Sequence, residues 1–305
     1  MLAGIDIGGT KCVIVKGDKS GRVTGKVSFA TTGCRETLER IYKEVGKLTE
    51  ITAIGISCGG PLDEKRGIIL SPPNLPGWDE VHIKEELEVR FGVPVNLRND
   101  ANACAVAEWR YGAGRGCNDM VFLTFGTGLG AGIIANGRLL SGSRGLAGEV
   151  GHIRLAGSGP VGYGKTGSFE GFCSGGGLAK MGRAIAKAAM ENGDMPLFVK
   201  GGCIDNITAA DIAAAARSGD KYARKAFRIS GKRLGEGLAV ICDVLDPELI
   251  IIGSIFARCR DLLEPYMLPV LKSEALAPCP VTVPLLGERI GDVAAIAVAA
   301  EAEFC

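Results

Sequence analysis

The run Leu97-Arg98-Asn99-Asp100-Ala101-Asn102 sets a carboxylate between two amides where a short strand meets an Ala-rich stretch. Pro94 to Leu97 reads as the strand and Asp100 to Tyr111 as the helix, with Ala103, Val106 and Ala107 along one face. Two readings follow. Asn99 or Asp100 caps the free N–H groups of the helix start, a purely structural duty. Alternatively, Asp100 is a carboxylate held at the mouth of a strand-loop-helix unit, where α/β enzymes keep reactive groups.

Two further clusters bear on that choice. Asp6-Ile7-Gly8-Gly9-Thr10-Lys11 joins an apolar strand, Leu2 to Ile7, to a returning strand, Lys11 to Lys16. The tip lacks P-loop spacing, yet glycines and a Thr hydroxyl at a turn present backbone N–H groups that can cradle phosphate. Phe125-Gly126-Thr127-Gly128-Leu129-Gly130 repeats the pattern between Met120 to Thr124 and Ala131 to Ala135. The repetition suggests an internal duplication, with two phosphate loops facing each other across a cleft. Farther on, Glu149 and His152 stand among glycines, which suits the wall of an open site.

The elements that must position these groups alternate strand and helix. A third strand, Arg22 to Phe29, follows the first hairpin, so the start differs from a dinucleotide-binding fold. Thr37 to Leu48, Ile83 to Phe91, Ser174 to Glu191, Ala209 to Arg217, Lys221 to Leu245, Phe256 to Leu268 and Asp292 to Glu303 read as helices. Ala53 to Ser57, Leu249 to Ile252 and Val281 to Val283 read as strands, and Gly159 to Glu170 as an irregular loop. Gly112 to Gly116 is expected to link two lobes. The expected division is a small lobe over 1–115, with the helix at 291–305 packing back on it, and a large lobe over 116–290.

Composition narrows the partners. The 305 residues are 47% hydrophobic, enough for a large core, and the net charge of +1 argues against a nucleic-acid partner held by phosphate contacts. Eleven Cys without a C-x-x-C pair suit reduced thiols in a cytoplasmic protein. The chain opens on a strand with no signal segment. Charges and Pro247 interrupt the apolar run from Leu238 to Phe256, so no membrane partner is expected.

Taken together, these motifs resemble the ROK group of sugar kinases and repressors, within the actin/hexokinase-type superfamily. The likeness runs nearly end to end. It includes the Asp6 to Lys11 turn, the Pro73-Asn74-Leu75 to Trp78 loop, Asn99 to Asn102, Thr127 to Gly132, Gly148 to His152 and Gly253-Ser254. It implies an α/β, two-lobe ribonuclease-H-like fold with mixed sheets. It also implies transfer of the γ-phosphoryl of ATP to a hexose hydroxyl, usually the 6-hydroxyl, with Mg²⁺ as cofactor. By position, Asp100 is the general base, and Asn99, Glu149, His152, Glu170, Gly60 and Asn74 contact the sugar. Gly8, Gly9, Thr10, Lys11, Thr127 and Gly128 hold phosphates, Gly253 borders the adenosine, and Asp6 steers Mg²⁺ through water. A homodimer is the family expectation. The chemistry is consistent with those roles: a sugar hydroxyl is a poor nucleophile, and a carboxylate within reach takes its proton as the transition state forms.

Two departures stand out. Most of the family carries three zinc-binding Cys after the His; here those positions are Val161, Tyr163 and Ser168, so no structural zinc is expected. Tyr163 and Phe169 are expected to anchor the loop by burial instead. The Gly59-Gly60 pair is similar to that of N-acetylmannosamine kinase domains, and the bare Gly59 leaves room for a 2-substituent. Two other readings compete with the kinase. One is a sugar-binding member that has lost catalysis, against which Asp100 and both phosphate turns speak. The other is a repressor, which would carry a winged-helix domain ahead of the first turn, where only three residues precede Gly4.

Overall fold

The computed structural model describes residues 1–302, so the expected helix end at Glu303 lies outside the described residues. In chain order the first stretch holds β1 (Leu2–Ile7), β2 (Lys11–Gly17), β3 (Val23–Ala30), α1 (Cys34–Val45), β4 (Ala53–Cys58), β5 (Leu62–Asp63), β6 (Ile68–Ile69), α2 (Ile83–Phe91), β7 (Val95–Asn99) and α3 (Asp100–Tyr111). Then come β8 (Met120–Phe125), β9 (Leu129–Ala135), β10 (Arg138–Leu139), β11 (Val161–Gly162), β12 (Lys165–Thr166), α4 (Phe169–Phe172), α5 (Gly175–Glu191), α6 (Ala209–Arg217) and α7 (Lys221–Leu245). The last are β13 (Leu249–Ile252), α8 (Ile255–Arg258), α9 (Arg260–Glu274), β14 (Val281–Thr282) and α10 (Ile290–Ala302). The architecture is α/β with mixed sheets, in the order β3-β2-β1-β4-β7 and β10-β9-β8-β13-β14.

The chain divides into two compact units. One comprises Met1–Phe122, Gly132–Ala147 and the chain from Pro284 on; the other comprises Leu123–Ala131 and Gly148–Val283. In the first unit, β1, β2 and β3 pair antiparallel, whereas β4 runs parallel to β1 and β7 parallel to β4. Alternation along β1 sends Ala3, Ile5 and Ile7 into a core with Ile14, Ile41, Ile54, Ile56, Trp78 and Leu97. The opposite face takes α10 at very short range. A Cβ on Gly55 would stand 2.1 Å from the Ala299 nitrogen, and one on Gly4 2.7 Å from the Ala295 Cβ. These glycines are what let an Ala-rich helix lie against the sheet.

Glu108 of α3 is fully buried and satisfies three backbone N–H groups: Ala113 at 2.7 Å, Leu286 at 2.9 Å and Leu285 at 3.2 Å. The glycines after α3 are packed: a Cβ on Gly112 would meet Glu108 Oε2 at 2.0 Å, and one on Gly114 the Met120 sulfur at 2.2 Å.

In the second unit the long α7 crosses α9 closely. A Cβ on Gly235 would lie 2.6 Å from the Met267 carbonyl oxygen, and one on Gly231 2.7 Å from that of Leu263. Thr208 closes a capping box with Asp211 at the start of α6. Three sequence expectations are corrected. Gly159 to Glu170 is not irregular throughout: β11 and β12 form a small hairpin, and Glu170 lies in α4. The expected helix from Phe256 to Leu268 is two, broken at Cys259, and α9 runs on through Pro265 and Pro269. Helix α1 starts a turn earlier than Thr37, at Cys34. The ten described cysteines are free thiols, and no described helix is long and apolar enough to cross a membrane.

Candidate active site

In the first unit, the candidate residues gather where β1, β4 and β7 end. Parallel register sets Asp6 beside Ser57, Ser57 beside Arg98, and Cys58 beside Asn99. Burial pushes the Asp6 carboxyl up to about 6; Asp100 and Asp292 push the same way, against a hydrogen bond from Ser57 and the charge of Lys11. Its Oδ2 also lies 3.4 Å from where a Cβ on Gly291, at the start of α10, would stand.

The turn after β1 is pinned by its own backbone: Gly8 N–H donates to the Lys11 carbonyl at 3.1 Å, and the Thr31 hydroxyl to the Gly8 carbonyl at 2.6 Å. Among the described residues, the N–H groups of Gly9 and Thr10 donate to no protein acceptor, and both residues are exposed. Gly9 has to be glycine, because a Cβ there would lie 2.5 Å from the Asn74 carbonyl oxygen. The Pro72 to Trp78 loop is therefore seated directly on the turn, with Leu75 and Trp78 buried beneath it.

Asp100 opens α3 and is exposed, while Asn99 is its N-cap. Asn99 Oδ1 accepts the Ala101 N–H at 3.0 Å, and Asp100 Oδ1 accepts the same N–H at 2.8 Å. A Cβ on Gly60 would stand 3.4 Å from Asn99 Nδ2, whereas one on Gly59 would meet nothing within 4 Å. Three polar residues here are not signalled by the sequence: Ser57 on Asp6, and the ion pair of buried Glu64 with half-buried Arg98 behind Asn99. Burial alone would lower the Arg98 pKa, but Glu301 and Glu64 outweigh it and hold the guanidinium above its usual range.

In the second unit, the turn at Thr127 sits on the start of α5. The carbonyls of Gly126 and Thr127 accept the N–H groups of Gly175 at 2.7 Å and Gly176 at 3.2 Å, and Ser174 Oγ caps Gly177 at 2.9 Å. The positive end of a 17-residue helix thus lies under this turn. Among the described residues, the N–H groups of Thr127 and Gly128 donate to no protein acceptor. Glu170 Oε2 accepts the next N–H, that of Leu129, at 3.1 Å.

Gly151 is wedged against this arrangement. A Cβ there would lie 2.4 Å from the Leu129 carbonyl and 3.3 Å from both Glu170 and Tyr163. His152 ends a one-turn helix at 150–152 that Glu149 precedes, and both are exposed. Ser168, one of the positions where the resemblance has Cys, caps α4 through the Gly171 N–H at 3.1 Å and donates to the Gly162 carbonyl. Phe169 is fully buried against Gly237. Tyr163 departs from the expected burial: it is 53% exposed, with its ring stacked on His152 at 4.3 Å. Among the described residues, no group of three or more His, Cys, Asp or Glu is placed to hold a metal ion. Gly253 is buried at the end of β13, its N–H on the Leu123 carbonyl, and Ser254 stands beside Gly126. Ser254 is a further polar group that the sequence pointed to only through the Gly253-Ser254 pair.

Known proteins resemble this chain over most of its length. The glucokinase of Streptomyces coelicolor is 34% identical over 268 residues, covering 86% of this chain and 84% of that protein. The N-acetylmannosamine kinase of Salmonella arizonae is 31% identical, covering 85% and 84%. Among solved structures, a ROK family glucokinase from Streptomyces griseus, crystallised with glucose and AMPPNP, superposes with a TM-score of 0.80 at 33% identity, covering 98% of this chain and 99% of that one. The fold is thus the actin/hexokinase type, and with the ROK family profile matching residues 2–300, the chain belongs to the ROK family.

Proposed function

We propose that this chain is an ATP-dependent sugar kinase that moves the γ-phosphoryl of ATP to a hydroxyl of glucose or an N-acetylhexosamine, with the 6-hydroxyl as acceptor. The observation that carries the reading is Asp100, an exposed carboxylate at the first residue of α3, close enough to Asp6 for their charges to interact. Helix capping alone does not call for both, since Asn99 already caps α3.

In this reading Asp100 takes the proton of the sugar hydroxyl as its oxygen bonds to the γ-phosphorus, while the bond to the β–γ bridging oxygen breaks and ADP leaves. Asn99, Glu149, His152 and Glu170 hold the other hydroxyls, with Gly60 and Asn74 alongside. Gly8, Gly9, Thr10, Lys11, Thr127 and Gly128 take phosphate oxygens. The unpaired N–H groups of the two turns and the helix end beneath Thr127 fit that role. Gly253 and its neighbour Ser254 border the nucleoside. Asp6, a half-buried carboxylate pressed by Asp100 and Asp292, fits a site facing a cation, and Mg²⁺ bound with ATP would neutralise phosphate charge there. The His152 loop is held by the Tyr163 stack, the Phe169 anchor and the Ser168 cap, with no zinc.

Resemblance to both a glucokinase and an N-acetylmannosamine kinase, together with the open space at Gly59, supports a pocket that admits a 2-substituent. A coupled assay of ADP release over a panel of hexoses and N-acetylhexosamines tests the proposal. Turnover of at least one sugar is expected. Sugar binding by calorimetry with no turnover on any of them would instead identify a binding protein.

A further inference from the structure

We infer that Glu64 is a positioning residue for the proposed base, holding the strand-to-helix junction that aims Asp100; the role, though not the geometry, rests on the kinase reading above. Glu64 belongs to the charged run Asp63-Glu64-Lys65-Arg66 in the β5–β6 hairpin, where a solvated side chain is the ordinary expectation. Lys65 and Arg66 are indeed exposed, but the Glu64 side chain is only 4% accessible. Its carboxylate is shared out along the motif. Oε1 accepts the Asn99 N–H at 2.8 Å and the Asn102 amide Nδ2 at 2.8 Å, and Oε2 accepts Arg98 Nη1 at 3.2 Å. Arg98 is held on its other side by Glu301 at 3.2 Å.

One carboxylate therefore grips the last two residues of β7 and the first turn of α3, on both sides of Asp100. Asn99 and Asp100 share the Ala101 N–H, so the rotation of the Asp100 carboxyl follows the placement of this junction. Glu64 also follows Cys58-Gly59-Gly60-Pro61 by a few residues, and so ties the open loop at Gly59 to the residue that would act on the sugar. Burying a carboxylate is unfavourable unless donors satisfy it, and a structural role alone is met by Arg98. The two further donors are the main chain and side chain of the motif itself. A displacement of about 1 Å at a reacting group can lower a rate about 10²-fold.

Three variants separate positioning from stability. Glu64→Ala removes all three contacts and is expected to lower kcat about 10–100-fold, with KM for sugar and ATP within about threefold. Glu64→Gln keeps an oxygen for Asn99 and Asn102 and is expected to stay within about fivefold of the parent. Arg98→Leu breaks the ion pair with Glu64 but leaves Asn99 and Asn102 held. It should lower Tm about as much as Glu64→Ala while kcat stays within about fivefold. In an Asp100→Asn background, Glu64→Ala should change the residual rate less than about threefold, because it acts through Asp100.

Hydrogen exchange at the amides of Asn99 to Asn102 reads the junction whether or not a sugar substrate has been found. Protection there should fall in Glu64→Ala and persist in Arg98→Leu. An inactive parent would remove the kinase reading and leave this exchange result to decide the geometric claim. The inference is overturned if Glu64→Ala keeps kcat within threefold of an active parent, if Arg98→Leu loses as much kcat, if the loss adds fully to that of Asp100→Asn, or if exchange is unchanged.

Discussion

Replacing Asp6 by Asn should stabilise the unliganded protein and at the same time remove its activity. The carboxyl sits at the end of β1, against β4 and the start of α10, and burial lifts its pKa from the usual 3.8 to about 6. The native state thus holds this proton more tightly than the unfolded chain does. Its contribution to stability is complete below pH 3.8, falls as pH rises, and is lost above about pH 6. The interval between those two values corresponds to about 3 kcal/mol. Asn keeps an oxygen for Ser57 and carries no charge, so the variant should equal the parent near pH 3.5 and exceed it by about 2–3 kcal/mol at pH 8. Urea unfolding of both proteins, without ATP or Mg²⁺, over pH 3.5 to 8 measures this. Using the difference between the two cancels groups common to both. A gap that stays flat with pH, within about 0.5 kcal/mol, would refute the assignment of a desolvated carboxyl with a raised pKa. The same Asn variant should lose most of its turnover at saturating Mg²⁺, because Asp6 is proposed to face the cation.

Other expectations follow from the same geometry. Gly59→Leu should fill the open space and lower kcat/KM for an N-acetylhexosamine at least about tenfold more than for glucose; an equal loss for both would count against a 2-substituent pocket. Gly128→Ala would set a Cβ 2.7 Å from Glu170 Oε2, displacing it from the Leu129 N–H, and should raise KM for sugar and ATP together. Tyr163→Ala removes the stack on His152 and should weaken sugar binding about three- to tenfold, with little change in Tm because the ring is half exposed. Metal analysis of purified protein should find well under one zinc per chain, and activity should survive a zinc-selective chelator when Mg²⁺ is supplied; stoichiometric zinc needed for sugar binding would contradict the account of this loop.

Much of the fold was legible because local signals agree. Asn before an Ala-rich run marks the start of α3, Thr208 that of α6, and short continuous apolar runs give β1 and β2. The Gly-Thr turns stand out because a turn that offers N–H groups needs small residues. What failed to show has physical reasons. The β11–β12 hairpin and α4 are too short to carry periodicity, and their order comes from the Ser168 cap and the Phe169 anchor. The break at Cys259 has no Gly or Pro to announce it, while Pro265 and Pro269 sit inside α9, held by packing on α7. Glu64 was hidden because a carboxylate in a charge run looks solvated; its donors lie 34 to 38 positions away in the chain. Asp6, Ser57 and Asp292 likewise meet only through strand register and the return of α10.

Asp100→Asn decides whether Asp100 is the base of a sugar kinase. The substitution keeps an oxygen for the Ala101 N–H, so the helix start and the fold should survive. Measured on the sugar that the parent turns over best, kcat should fall by at least about 10²–10⁴ while the sugar Kd by calorimetry changes less than about threefold. Turnover within a few-fold of the parent, in a variant that folds and binds sugar normally, would contradict the account.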